Sequence, residues 1–105
     1  MYTRNVSMKL KANSVPEFTR TLENEVIPML RKQKGFKDEI TLVAPERNEV
    51  VAISFWDRKE DAESYNREKY PEILKALSKV VEGTPRVELF EVANSTSHQI
   101  AAKAA

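Results

Sequence analysis

Four segments of the chain are typical of β-strands: the first and the last alternate apolar and polar side chains with a period of two, and the two between them are runs rich in β-forming residues. They cover residues 2–10, 36–43, 50–56 and 86–92. In the first segment Val6, Met8 and Leu10 share one side and the other side is polar, which predicts a strand with one buried face. The second and third segments are separated by a short polar connector with a proline, which predicts an antiparallel hairpin.

Between the first two strands the apolar spacing changes to three and four residues, which predicts a helix over residues 15–30. Ser14 stands three residues before Glu17, the pattern of a capping box at the start of that helix. Pro28 removes one backbone hydrogen bond within the apolar stripe. We therefore expect a kink, or a break into two segments, near Val26.

A second helical region follows the third strand. Asp57 is positioned to cap its first segment, and Pro71 suits the first turn of a second segment. Gly83 and Pro85 are expected to end it, just as Gly35 is expected to end the first helix with a left-handed cap.

The resulting order is strand, helix, strand, strand, helix, strand, which predicts an α+β fold of the ferredoxin-like, split βαβ kind. Right-handed crossovers place both helical regions on one face of a four-stranded antiparallel sheet. We expect one domain over residues 1–92 and a C-terminal tail over residues 93–105. Ile100 is the only large apolar residue of that tail, which we expect to be a short helix from about Ser97, to lie over the domain or to be disordered.

The helices can cover only one face of such a sheet, yet two strands carry apolar residues on both faces. In the third strand Val51, Ile53 and Phe55 alternate with Val50, Ala52 and Trp56, and in the fourth Val87 and Leu89 alternate with Phe90 and Val92. We expect an open face formed by Val50, Trp56, Phe90 and Val92, and a homodimer that buries it. The alternative is that these residues are scattered or covered by the tail.

Composition narrows the function further. The 105 residues include 17 Lys and Arg against 16 Asp and Glu, for a net charge of +1 spread along the chain, so we expect no nucleic-acid partner and no membrane partner. There is no cysteine, which excludes thiolate chemistry and fits a cytoplasmic location. The sequence contains no His cluster, carboxylate pair or phosphate-binding glycine loop, so we expect no metal and no cofactor.

Three segments resemble the antibiotic biosynthesis monooxygenase (ABM) domain. They are EVIPMLRKQKGF at residues 25–36, SFWD at residues 54–57 with Tyr65 in the helix that follows, and VELFEV at residues 87–92. The resemblance extends over residues 2–92. It implies a dimeric α+β barrel, in which two ferredoxin-like sheets face one another, with a pocket between each sheet and its helices or tail. Some members oxidise polycyclic aromatic phenols to quinones without metal or flavin; others degrade haem or have no assigned activity.

The haem-degrading members combine an Asn on the first strand with a Trp and a His on the second helical region. Asn5 matches that Asn and Tyr65 falls near the position of the Trp, but no His occurs between Trp56 and Val92. This difference argues against haem degradation. The resemblance instead implies a cofactor-free oxygenase that acts on a small aromatic phenol or quinol, and the alternative is a non-catalytic dimeric protein for ligand binding or stress response.

The candidate catalytic residues are Asn5 and Tyr65, which would hold the phenolic oxygen of a substrate. Asn5 would donate a hydrogen bond to developing negative charge; the alternative is a solvated or cross-strand polar pair. Trp56 would stack on the substrate ring, or else belongs to the core or an interface. Tyr65 would supply a phenolic hydroxyl.

Three further residues are candidates for binding the substrate. Tyr70 would add a second hydroxyl, although it also continues the apolar stripe of its helix. Arg86 would bind a phenolate or carboxylate, or else forms a salt bridge at the rim. His98, the only histidine, titrates near neutral pH and would act as a base, or else is a surface residue of the polar stretch 94–99.

Overall fold

The computed structural model describes residues 1–97. Its elements are β1 (Tyr2–Leu10), α1 (Val15–Thr21), a π-helical turn (Leu22–Val26), α2 (Ile27–Arg31), β2 (Phe36–Ala44), a 3-10 turn (Pro45–Arg47), β3 (Glu49–Trp56), α3 (Lys59–Glu68), α4 (Tyr70–Leu77) and β4 (Val81–Glu91). The four strands form one antiparallel sheet in the order β2-β3-β1-β4. The predicted fold class is confirmed.

The first helical region is interrupted where the sequence predicts. Leu22–Val26 forms a π-helical turn, and Pro28 lies in the first turn of the short helix α2 that follows. The predicted capping box is wrong. The Ser14 side chain makes no hydrogen bond to the helix, and its Oγ instead donates to the carbonyl of Ala12 at 3.5 Å.

The second helical region differs from the prediction at both ends. Arg58 rather than Asp57 is the N-cap of α3, and Asp57 pairs with Lys37 at 3.4 Å. Helix α4 ends at Leu77, and β4 begins at Val81, five residues before the predicted start. Strand pairing explains the longer strand, because Leu10 at the end of β1 pairs with Val81.

Gly83 and Pro85 therefore lie inside β4 rather than at a helix end. The register of β4 against β1 shifts between Ser7, which pairs with Arg86, and Lys9, which pairs with Glu82. Gly83 has φ +74°, a left-handed conformation that glycine adopts without steric cost. The irregularity accommodates Pro85, which has no N–H to give to a regular ladder.

The composition predicted for the open face of the sheet is wrong in two places. Trp56 and Val50 are 0% and 1% exposed and belong to the core under the helices. Residues paired directly across neighbouring strands share a face. Because Met8 pairs with Val50 and Tyr2 with Trp56, these residues follow β1 onto the helix-covered side.

The same pairing rule identifies the residues of the open face. Ile53 of β3 lies between Ile40 of β2 and Asn5 of β1. The apolar members of this face are Ile40, Leu42, Val51, Ile53, Phe55 and Phe90, of which Ile40, Leu42 and Phe90 are 44%, 52% and 51% exposed. Phe90 thus lies where it is predicted. Val92 follows β4 and donates its backbone N–H to the carbonyl of Met1 at 2.9 Å.

None of the helices within residues 1–97 is long and apolar enough to cross a membrane. The predicted helix from about Ser97 and the candidate residue His98 lie outside the described residues, apart from Ser97 itself, which is in a turn.

Candidate functional site

A cavity lies between the helix-covered face of the sheet and the helices. Most of its lining is apolar: Val6, Met8, Leu22, Val26, Leu30, Ala52, Ile73, Leu74 and Leu77. Its polar lining residues are Arg4, Glu39, Ser54, Tyr65 and Tyr70. The cavity volume is about 40 Å³, so the cavity is narrow.

The charged residues of the cavity come from one row across the sheet. Glu39 of β2 pairs with Ser54 of β3, and Ser54 pairs with Arg4 of β1. Neighbouring strands are about 4.8 Å apart, so the Cα atoms of Glu39 and Arg4 are separated by roughly 10 Å. Their long side chains therefore project from the same face, on either side of Ser54.

Arg4 is a buried cation, 3% exposed. Its Nη2 and Nε donate to Asn66 Oδ1 at 2.8 and 3.2 Å, and its guanidinium carbon lies 4.0 Å from the ring centroid of Tyr70 and 5.2 Å from that of Tyr65. Burial lowers the pKa of this guanidinium, although an arginine stays charged in proteins. Within residues 1–97 no carboxylate oxygen lies within 4 Å of it.

Tyr65 is 3% exposed and is supported from behind by Trp56, whose ring centroid is 5.2 Å away. Burial raises the pKa of Tyr65 to about 12, against the opposing effect of the Arg4 charge. Burial also raises the pKa of Tyr70, and Arg4 again acts in the opposite direction. Both phenols are therefore protonated at neutral pH and are hydrogen-bond donors.

Glu39 is the one carboxylate that lines the cavity among the described residues. Its Oε2 accepts a hydrogen bond from Thr41 Oγ1 at 2.6 Å. Burial raises the pKa of Glu39, the hydrogen bond from Thr41 lowers it, and the charge of Asp38 raises it. In residues 1–97 no group of His, Asp and Glu side chains is arranged to hold a metal ion.

No protein-family model and no curated protein matches this sequence. Solved structures do match its fold. A monooxygenase of Streptomyces coelicolor, solved with nanaomycin D, has a TM-score of 0.76 at 14% identity, covering 90% of this chain and 88% of its own. A cofactor-independent oxygenase of Streptomyces nogalater has a TM-score of 0.72 at 15% identity, covering 90% and 95%. A Bordetella bronchiseptica protein provisionally named an antibiotic biosynthesis monooxygenase has a TM-score of 0.74 at 11% identity, covering 87% and 95%.

The chain has the antibiotic biosynthesis monooxygenase fold. The fold that the sequence resemblance implies is thereby confirmed. All three identities are below 25%, so the likeness establishes the fold and leaves the chemistry to be argued from the cavity.

The ABM fold divides the predicted site residues between two faces of the sheet. Tyr65 and Tyr70 line the cavity. Trp56 lies behind Tyr65 rather than in the cavity wall, and its Nε1 donates to Ser54 Oγ at 2.8 Å. Asn5 and Arg86 are on the open face.

Asn5 and Tyr65 therefore cannot hold the same oxygen atom within one chain. Asn5 lies between Ile53 and Glu88, and its Oδ1 is buried without a hydrogen-bond partner among the described residues. Arg86 pairs with Glu88 at 3.2 Å, and their side chains are 74% and 42% exposed. This contact is the rim salt bridge that the sequence leaves open as the alternative.

Sequence reasoning missed Arg4 and Glu39. The alternation of β1 already places Arg4 on the same face as Val6 and Met8, so a charge on the apolar face was the available signal. For Glu39 the signal was weaker, because the open face of β2 carries Ile40 and Leu42 and the sequence does not say which side the helices cover.

Proposed function

We propose that this protein is a cofactor-free oxygenase that binds a small aromatic phenol or quinol in the cavity. The observation that carries the proposal is Arg4, a buried guanidinium that has neutral partners, Asn66 and Tyr70, and no carboxylate within 4 Å in residues 1–97. Burying an unpaired charge is costly. The anionic oxygen of a bound phenolate would compensate that charge.

The rest of the cavity supports an aromatic ligand. Its walls are aliphatic on the helix side, which suits the faces of a ring, and the Tyr65 hydroxyl is a protonated donor that can bind a second oxygen. Because the cavity is narrow, a one-ring ligand suits it better than a polycyclic one. A polycyclic ligand would require the helices to move.

The proposed reaction draws its electrons from the substrate itself. A phenol and O₂ give a quinone and water: the ring C–H opposite the phenolic oxygen is replaced by C=O, and the second oxygen atom leaves as water. The electron-rich phenolate reduces O₂, so the protein has to bind the anion, orient it and exclude bulk water. Arg4 would stabilise the phenolate, and Tyr65 would orient it.

Oxygen uptake tests the proposal. The protein is incubated with a panel of single-ring quinols, naphthols and anthrones, and oxygen consumption is compared with that in buffer. At least one panel member should be consumed faster than in buffer. If none is, and the compounds nevertheless bind, the protein belongs to the alternative class of non-catalytic ligand-binding proteins. The single tryptophan, which contacts Tyr65, provides a fluorescence signal for binding.

Variants locate the site. Arg4→Gln removes a charge-assisted hydrogen bond and should lower kcat/KM by about 10- to 100-fold, while Tyr65→Phe should have a smaller effect. Arg20→Gln is the matched control, since Arg20 is exposed in the last turn of α1. Asn5→Ala should leave the rate unchanged, because Asn5 faces away from the cavity. Loss of activity in Asn5→Ala but not in Arg4→Gln would contradict the proposed site.

A second copy of the chain is the proposed partner of the open face. Three of its apolar side chains, Ile40, Leu42 and Phe90, are each more than two-fifths exposed. An apolar surface of this kind on a sheet favours association. We expect sedimentation at micromolar concentration to show twice the 12.0 kDa mass of one chain.

A pair of substitutions tests which face associates. Ile53→Asp places a charge at the centre of the open face and should give the 12.0 kDa species. Val87→Asp is the matched control, because Val87 is 37% exposed on the helix-covered face, and it should leave the dimer intact. A dimer that survives Ile53→Asp but not Val87→Asp would place the interface on the other face.

A further inference from the structure

The cavity holds two opposite charges that do not pair with one another. In residues 1–97 no cationic nitrogen lies within 4 Å of the Glu39 carboxylate, and no carboxylate oxygen lies within 4 Å of Arg4. Both line the same cavity, separated by Ser54 in their row across the sheet. Each charge is instead held by a neutral side chain, Glu39 by Thr41 and Arg4 by Asn66.

A hydroxyl bound between them would satisfy both groups. Its O–H would donate to the carboxylate of Glu39, and its oxygen would accept from the guanidinium of Arg4. The hydrogen bond from Thr41 engages Oε2 of Glu39, so Oε1 would accept the hydrogen bond from a bound hydroxyl.

We propose that Glu39 is the proton acceptor of the cavity, so that the protein takes substrates as neutral phenols and ionises them after binding. The phenolic O–H bond breaks, the proton passes to Glu39, and the phenolate oxygen stays with the charge of Arg4. No oxidant takes part in this step. The inference rests on the proposed function in one respect, that the ligand is a phenol, and it does not require the protein to react with oxygen.

The surroundings of Glu39 suit a proton acceptor. Burial and the adjacent Asp38 raise its pKa, which brings it closer to that of a phenol and makes its carboxylate a stronger base. Thr41 contacts it from its own strand. The other polar groups that line the cavity with it are Arg4 from β1, Ser54 from β3, Tyr65 from α3 and Tyr70 from α4, and the first helical region contributes apolar residues. Thr41 opposes the shift by stabilising the carboxylate.

Binding of 4-nitrophenol tests the inference, because its phenol and phenolate absorb at different wavelengths. The titration is done below the solution pKa of this probe, where the free compound is mainly neutral. Wild type should bind it as the phenolate. In wild type the proton stays on Glu39, so the buffer should gain no proton as the bound phenolate forms. Glu39→Gln has no acceptor, so each probe molecule that it binds as the phenolate should release about one proton to the buffer.

Three comparisons make the result specific. Glu46→Gln, an exposed glutamate in the 3-10 turn, should match wild type. Thr41→Val removes the hydrogen bond to Oε2 but keeps the base, so it should still ionise the probe. Far-UV circular dichroism and the urea midpoint check that Glu39→Gln is folded.

Two outcomes would overturn the role of Glu39: a wild type that binds the probe as neutral phenol, or a wild type that releases about one proton to the buffer for each phenolate that it binds. If wild type ionises the probe through Glu39 but none of the phenols makes it consume oxygen, the result supports this inference and contradicts the oxygenase function. The two failures are therefore distinguishable.

Discussion

The guanidinium of Arg4 stacks on the ring of Tyr70, with its central carbon 4.0 Å from the ring centroid. Arg4 comes from the first strand and Tyr70 opens helix α4, so this contact joins the sheet to the helices at the polar end of the cavity. A cation over the face of an aromatic ring is attracted by the negative potential of that face. The contact positions the charge and also contributes to stability.

Replacing Tyr70 should reveal that contribution. We expect Tyr70→Leu to lower the free energy of unfolding by about 1–2 kcal/mol, since the ring and its attraction for a desolvated cation are lost. Tyr70→Phe keeps the ring and should cost less. Urea denaturation of these variants, alone and combined with Arg4→Gln, measures the coupling between the two residues. Strict additivity of the two substitutions would contradict a direct interaction.

The Tyr65 phenol should ionise at a higher pH than an ordinary tyrosine. Burial raises its pKa to about 12, compared with an ordinary value of 10.0. Absorbance of tyrosinate in wild type minus that in Tyr65→Phe should therefore show a transition near pH 12. Because the unfolded chain ionises first, this group makes the native state less stable as pH rises between these two values. A difference spectrum with its midpoint at pH 10 would show that the ring is solvated.

Glu39 should destabilise the protein at neutral pH. Its pKa is raised on folding from an ordinary value of 4.5, so the native state binds the proton more tightly than the unfolded state. Stability is unaffected below pH 4.5 and is lost as pH rises through the folded pKa. We expect Glu39→Gln, which stays neutral, to be more stable than wild type at pH 7.

The pH dependence provides the check on that expectation. The stability difference between Glu39→Gln and wild type, from urea denaturation, should shrink as pH falls and disappear near pH 4. Glu46→Gln should show no such pattern, since this side chain is exposed. A constant difference at all pH values would mean that packing, not ionisation, distinguishes the Glu39 variant.

Two glycines with left-handed backbones should respond differently to alanine. Gly35 and Gly83 have φ of +80° and +74°, so either substitution should cost about 1–2 kcal/mol of backbone strain. A Cβ on Gly35 would also overlap the carboxylate of Asp61 and lie 2.8 Å from its Cβ, whereas a Cβ on Gly83 meets nothing within 4 Å. Gly35→Ala should therefore lower the thermal midpoint more than Gly83→Ala. Equal midpoints would show that Asp61 moves aside freely.

Local pattern determined much of this fold. The period-two segments and the apolar stripe over residues 15–30 predict the order of elements, and Pro28 predicts the interruption next to Val26, because these features depend on residues a few positions apart. Caps and boundaries were less accurate. Strand β4 extends back to Val81 because Leu10, some 70 residues earlier, offers it a partner, and no local signal encodes that pairing.

Only the tertiary structure decided which face of the sheet the helices cover. Val50 and Trp56 alternate with Val51, Ile53 and Phe55, and hydrophobicity does not distinguish the two sets. The pairing of Met8 with Val50 settled which face the helices cover and therefore where the site lies. Arg4 and Glu39 line the cavity, and Asn5 and Arg86 lie on the open face. The sequence alone determined the alternation, because a side chain's face follows from its own backbone. The partner of each face depends on which distant strands and helices meet, and that is a property of the whole chain.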